Sequence, residues 1–202
     1  MDMRSSKTGI KEAICDSLCL LAQSKPKEKV SITSLIGAAG ISRSSFYYYY
    51  ESINDVFADM VNEFCGEYQS IGFLVLNTKA HRDREGLLRA EEAFCDVILK
   101  YKKWVVFFFE RPNYFDFREI FYQQFQERCS TMHITMLYKE QRSELRDRVT
   151  YSYSIYSCCM QMFSVLELYV KRGFRETPED FVSIYEQTFS QTLFFEDGIC
   201  IV

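Results

Sequence analysis

Residues 32–57 read ITSLIGAAGISRSSFYYYYESINDVF, and the fold turns on how this stretch is parsed. A short apolar segment carrying Leu35 and Ile36 runs into Gly40, which supplies a turn. A serine stands before each segment that follows a break: Ser31, Ser42 and Ser52. Serine is a favoured residue at the start of a helix, because its hydroxyl accepts one of the backbone N–H groups left unpaired there. Ser52 is followed three residues later by Asp55, the spacing of a reciprocal cap. The stretch therefore predicts a short helix, a turn, a second short helix beginning after Ser42, and a long helix beginning after Ser52.

The second short helix holds five aromatic residues in succession, Phe46 to Tyr50. At about 100° per residue, with Phe46 placed at 0°, Tyr50 falls at about 40° and Tyr49 at about 300°, on the side of Phe46. Tyr47 at about 100°, Ser44 at about 160°, Tyr48 at about 200° and Ser45 at about 260° point away. Phe46 and Tyr50 are thus core candidates. Tyr47, Tyr48, Ser44 and Ser45 make an outer, hydroxyl-rich face with Arg43 at its N-terminal edge, and Tyr49 lies at the margin. Such a face suits a nucleic-acid reader: hydroxyls donate to phosphate oxygens, an arginine reads guanine O6 and N7 together, and a ring lies on a thymine methyl. An ordinary amphipathic helix whose spare tyrosines pack on a neighbour is the plainer account.

The stretch resembles the helix-turn-helix signature of the TetR family of bacterial transcription regulators. The matching residues are Ala39-Gly40, Ser42, Phe46, Tyr47, Tyr50 and Ser52, and the apolar stripe from Ile10 to Leu21 falls where that family's leading helix lies. The resemblance spans roughly residues 8–60. It implies base or phosphate contacts at Arg43, Ser45 and Tyr47, further backbone contacts at Tyr48 and Tyr49, and a phosphate-facing start of the second helix at Ser31 and Thr33; Ser44 joins them on the outer face. Ile53 stands where the family usually has a phosphate-directed lysine, and Glu51 adds a negative charge nearby. Losing one phosphate contact per subunit predicts lower affinity and a shallower salt dependence.

Outward from this stretch the chain is 202 residues long, 48% apolar, 16% aromatic and 26% charged, a globular composition with a large aromatic share. Residues 1–50 hold seven lysines and arginines against four acids, +3, which leaves −7 for the remainder of a chain of net charge −4. A mildly basic head on an acidic body suits a head that meets a polyanion. The opening MDMRSSKTGI is short and polar, and the longest unbroken apolar run is Trp104 to Phe109, below the ~18 residues of a membrane span, so no membrane association and a cytoplasmic location are expected. The eight cysteines form no CxxC pair and fall mostly on apolar helical positions; they read as reduced, buried small hydrophobes, with a thiol sensor at Cys158-Cys159 or at Cys15 and Cys19 as the other reading. With only His81 and His133, no metal site, catalytic constellation or cofactor is expected, and the chain does not read as an enzyme.

Three prolines and eight glycines leave long segments between breaks. Helical patterns run from about residue 7 to 24, 31 to 38, 42 to 50, 52 to 76, 85 to 102 and 104 to 110, then through Phe117 to Met136, from about 144 to 172, and from Thr177 to about Glu196. The expectation is an all-α chain of about nine helices: a three-helix DNA-binding domain over residues 1–50 and a helical effector-binding and dimerisation domain over residues 51–202. The segment 149–170 is apolar on two stripes, one through Tyr153, Tyr156, Met160 and Phe163, the other through Ile155, Cys159, Met162, Leu166 and Tyr169, so it can pack twice. The resemblance assigns Met162, Leu166, Tyr169, Phe181, Tyr185 and Phe189 to a homodimer interface. A bulky apolar middle with polar handles reads as plain core or as a small-molecule cavity, lined by Trp104, Phe107, Phe108, Tyr114, Phe117, Phe121, Met132, His133, Tyr153, Tyr156 and Met160. The implied function is a dimeric regulator, a repressor released from a palindromic double-stranded operator by an apolar or aromatic effector. The alternative is a ligand- or partner-binding protein of the same fold with weakened DNA contact.

Overall fold

The computed structural model describes residues 3–24, 29–77, 84–110, 116–131, 144–184, 186–187, 194–196 and 199–201. Among these the chain forms helices α1 (Met3–Ser24), α2 (Ile32–Ala39), α3 (Arg43–Tyr49), α4 (Ile53–Asn77), α5 (Arg84–Lys100), α6 (Lys102–Glu110), α7 (Phe117–Thr131), α8 (Glu144–Lys171) and α9 (Pro178–Ile184). The all-α class and the nine helices expected from the pattern are observed. A short antiparallel pair, β1 (Phe194–Glu196) and β2 (Ile199–Ile201), is the one addition among the described residues, with Glu196 opposite Ile199.

The breaks between the first four helices follow from serine, glycine and aspartate chemistry. The Ser31 hydroxyl accepts from the Ser34 amide at 3.1 Å while the Ser34 hydroxyl accepts from the Ser31 amide at 3.2 Å, a reciprocal cap on α2. Gly40, at φ +64°, turns the chain into the left-handed region that a residue with a Cβ enters only with strain, and there its neighbour Ile41 donates back to the Ile36 carbonyl. The Ser42 hydroxyl accepts from the Ser45 amide at 3.0 Å and opens α3. At α4 the Asp55 carboxylate accepts from the amides of Glu51 and Ser52, and the Ser52 hydroxyl accepts from the Asp55 amide.

By packing, the chain divides into two compact units, Met1–Phe64 with Tyr101–Phe117, and Cys65–Lys100 with Arg118–Val202. The expected boundary lies after Tyr50; the packing division falls after Phe64, because the first part of α4 and all of α6 belong to the first unit. In that core α1 packs on α2 and α6, around the fully buried Ile14, Leu18, Leu35, Phe46, Val56 and Met60. The Phe57 ring meets Phe107 and Phe108 edge-on, at 5.9 and 5.3 Å between centroids. In the second unit α5 packs on α9, and Phe121, Phe125 and Leu166 are buried. The Tyr68 ring meets Phe94 and Phe121 at a tilt, and its hydroxyl donates to the Met162 carbonyl at 3.2 Å.

The last helix is a correction. The expected span to about Glu196 ends at Ile184; Glu186 and Gln187 follow in a wider turn, and Phe194–Glu196 is a strand. The missed signal is Asp197-Gly198 between β-prone Phe194-Phe195 and Ile199-Cys200-Ile201, the two-residue pattern that favours a hairpin over a helix.

Candidate nucleic-acid interface

The two faces read from α3 are observed except at Ser45, expected on the outer face and found half-buried. Phe46 and Tyr50 are 0% and 4% exposed, whereas Tyr47 and Tyr48 are 48% and 68% exposed. Arg43 and Ser44 are also exposed, and Ser45 and Tyr49 are half-buried. The Arg43 guanidinium lies 5.9 Å from the centre of the Tyr47 ring, close enough for the ring face to attract it. The Tyr48 and Tyr49 rings meet edge-on at 4.9 Å. The Ser42 hydroxyl gathers those of Ser44 and Ser45 at 2.9 and 2.8 Å, so three serine oxygens cluster at the start of the helix. Ser31 and Thr33 are exposed at the start of α2. Glu51 is exposed and Ile53 half-buried at the α3–α4 junction.

Tyr50 needs a correction of place. It is not the last residue of the helix but its cap, with extended backbone at φ −143° and ψ 138°, and its amide still donates to the Phe46 carbonyl. Leaving the helix lets its ring turn inward between α1 and α4. There its hydroxyl donates to Asp59 Oδ2 at 2.6 Å, and Lys11 Nζ donates to the same oxygen at 2.7 Å. Burial pushes the Asp59 carboxyl up, but the hydrogen bonds from Lys11 and Tyr50 and the lysine's charge outweigh it and leave the group below its ordinary value. Burial first, then the hydrogen bond to Asp59, pushes the Tyr50 phenol well above the usual range, so it stays a donor. Sequence reasoning missed Lys11 and Asp59. The available signal was a polar residue set among the apolar Ile10, Ile14, Val56, Phe57 and Met60 positions of α1 and α4.

The expected cavity residues do not all share one kind of environment. Trp104, Phe107, Phe108 and Phe117 are buried in the first unit, where Phe108 and Phe117 lie 4.8 Å apart, and Trp104 Nε1 faces Asp16 at 3.4 Å. Phe121 is buried in the second unit against Phe163. Tyr153 and Tyr156 are 72% and 48% exposed, and Met160 is half-buried. Tyr114, Met132 and His133 lie outside the described residues. Interlocked rings fill a core as well as they line a chamber, and composition does not distinguish the two.

The expected dimer residues are corrected in part. Leu166, Tyr169 and Phe181 are 0%, 3% and 8% exposed, buried within their own unit, and Met162 is half-buried over Gly72; Tyr185 and Phe189 lie outside the described residues. On α8 the stripe through Ile155, Cys159, Leu166 and Tyr169 is buried, with Met162 half-buried, whereas the other is split: Phe163 is buried and Tyr153 and Tyr156 face solvent. At the C-terminal end of α8 a cleft of about 540 Å³ runs along α9, lined by the apolar Val165, Leu168, Tyr169, Phe181 and Ile184 and by the charged Arg172, Arg175, Glu176 and Asp180. Leu168 and Ile184 are the large apolar groups it leaves exposed.

The buried thiols are poor nucleophiles. Burial, the leading cause in each case, pushes Cys15, Cys19, Cys129 and Cys159 up to about 12 and Cys95 to about 11. Glu91 on α5 is raised to about 7 by burial alone. Among the described residues no group of three or more His, Cys, Asp or Glu could hold a metal ion, and no helix is long and apolar enough to cross a membrane. No family model, curated protein or solved structure matches the chain.

Proposed function

We propose that the chain is a TetR-like, homodimeric DNA-binding regulator, a repressor acting in the cytoplasm with no catalytic role, released from a palindromic operator by an apolar or aromatic small molecule. The observation that carries this reading is the split of α3: Phe46 and Tyr50 hold it to its unit while Arg43, Ser44, Tyr47 and Tyr48 face solvent together. That is the arrangement a recognition helix requires, a donor-rich outer face on a helix fixed from behind. Phenol and serine hydroxyls would meet phosphate oxygens, and Arg43, steadied by the Tyr47 ring, would read a guanine. In a two-fold dimer the two copies of α3 would fall about one duplex turn apart, ~34–36 Å, and read a palindrome. The exposed Leu168 and Ile184 beside the α8–α9 cleft are the surface we assign to the second copy. An effector would act by favouring a dimer geometry whose recognition helices no longer match the operator.

The second reading, a ligand- or partner-binding protein with weakened DNA contact, draws support from Ile53 and the exposed Glu51 beside α3. Selection of duplexes from a random-sequence pool, followed by gel shift at low and moderate salt, separates the two. A sequence-selective shift that fades with salt is expected; no selective shift at either salt would sink the repressor reading.

A further inference from the structure

α3 is seven residues long and buries a single side chain of its own, Phe46. A helix this short does not hold itself together in water, and one apolar anchor leaves it free to pivot about that anchor. The second anchor is Tyr50, which lies just past the helix and is polar where it matters. Its hydroxyl and the Lys11 ammonium donate to one oxygen of Asp59 at 2.6 and 2.7 Å, so a single carboxylate on α4 ties the end of α3 to α1. Lys11 also lies 5.4 Å from the centre of the Tyr50 ring, which holds the ring from a second direction.

We propose that Tyr50, Asp59 and Lys11 form a lock that fixes the orientation of α3, making Tyr50 and Asp59 positioning residues for duplex readout rather than groups that touch the duplex. An apolar contact tolerates sliding, because its energy follows area. A hydrogen bond weakens steeply with angle, and a part-buried hydroxyl that swings away from its carboxylate gives up a charge-assisted bond for a weaker one. The lock therefore penalises small rotations of α3 that Phe46 alone permits, and these are the rotations that would misplace Arg43 and Tyr47 from base edges. Binding that depends only on phosphates is indifferent to them.

The lock rests on reading α3 as a recognition helix, so the experiment has one arm that needs no DNA. In the full-length protein, Y50F keeps the ring and removes the hydroxyl, D59A removes the acceptor, and D59N retains an oxygen that accepts from Tyr50. Amide hydrogen exchange over residues 46–50 is expected to quicken in Y50F and D59A, with exchange in α5 and α7 and the cooperative melt unchanged. Against the tightest duplex that the parent protein selects from a random pool, each is expected to lose roughly fivefold to tenfold in affinity, while affinity for an unselected duplex at low salt is retained. The double variant Y50F/D59A should be no worse than either single change, and D59N should keep most of the parent's affinity. Parent-like exchange of α3 in both single variants, or additive losses in the double variant, overturns the lock. If Y50F does not fold, D59A and D59N carry the same comparison. If the parent selects no duplex, the regulator reading fails and the exchange arm alone decides the lock.

Discussion

Arg43 and Tyr47 sit one helical turn apart, with guanidinium and ring face in contact range, yet their expected roles differ. Replacing Arg43 with alanine removes a bidentate donor and should relax base preference at one position by about 1–3 kcal/mol. Tyr47→Phe removes only a hydroxyl and should weaken binding to all sequences alike; comparison of duplexes selected by parent and variants separates these outcomes. Glu91 yields a pH effect of definite sign. Its folded value of about 7 lies above the 4.5 of an ordinary glutamate, so between those values the native state binds the proton that the unfolded chain has released. Stability from this group is whole below about pH 4.5 and declines as pH rises through 7, on the order of a few kcal/mol. Glu91→Gln should therefore match the parent near pH 5 and melt higher than it at pH 8, and equal melting differences at both would refute the assignment.

At the scale of elements, the succession of α2, α3 and α4 depends on a few backbone events. Gly40 at φ +64° has open space where a Cβ would stand, so Gly40→Ala carries backbone strain without a clash, a cost of about 1 kcal/mol. Ser42→Ala removes the cap of α3 and should cost about as much, read from chemical denaturation. These features were legible in the sequence because each is local: a serine before a segment, a glycine after it, an aspartate three residues on. The division of the aromatic run was legible too, since it follows from the period of the helix alone. What was not legible depends on residues distant in sequence. The helix ends at Tyr49 rather than Tyr50 because Asp59 and Lys11 wait behind it, and no period in the sequence announces such a partnership. On α8 both stripes are apolar and of similar bulk, so the pattern states that the helix packs twice without stating which stripe stays at home. The aromatic middle is likewise ambiguous, because Phe107 and Phe121 would look the same in sequence lining a chamber or filling a core.

At the scale of the whole molecule, the exposed apolar groups of α8 and α9 give an assembly prediction. Leu166 is fully buried in its own unit and Leu168, two residues on, is 57% exposed. Leu166→Ala should cost about 2–5 kcal/mol of stability through the cavity it leaves. Leu168→Arg should leave the melt of the isolated chain nearly unchanged and, on the proposed dimer, convert it to monomer in sedimentation. A dimer that survives Leu168→Arg and Ile184→Arg together would place the interface elsewhere. Among the described residues seven buried cysteines, placed in two compact units, report on the stability of each. Cys15 and Cys19 lie in the first unit, and Cys65, Cys95, Cys129, Cys158 and Cys159 in the second, all buried and none in a disulfide. A thiol reagent can reach them only when the surrounding unit opens, so the rate at which each becomes modified under native conditions measures the opening free energy of its own unit. The protein thus carries an internal gauge of local stability in each half, readable by mass without adding a probe, and a ligand bound to one half would announce its location by which thiols it slows.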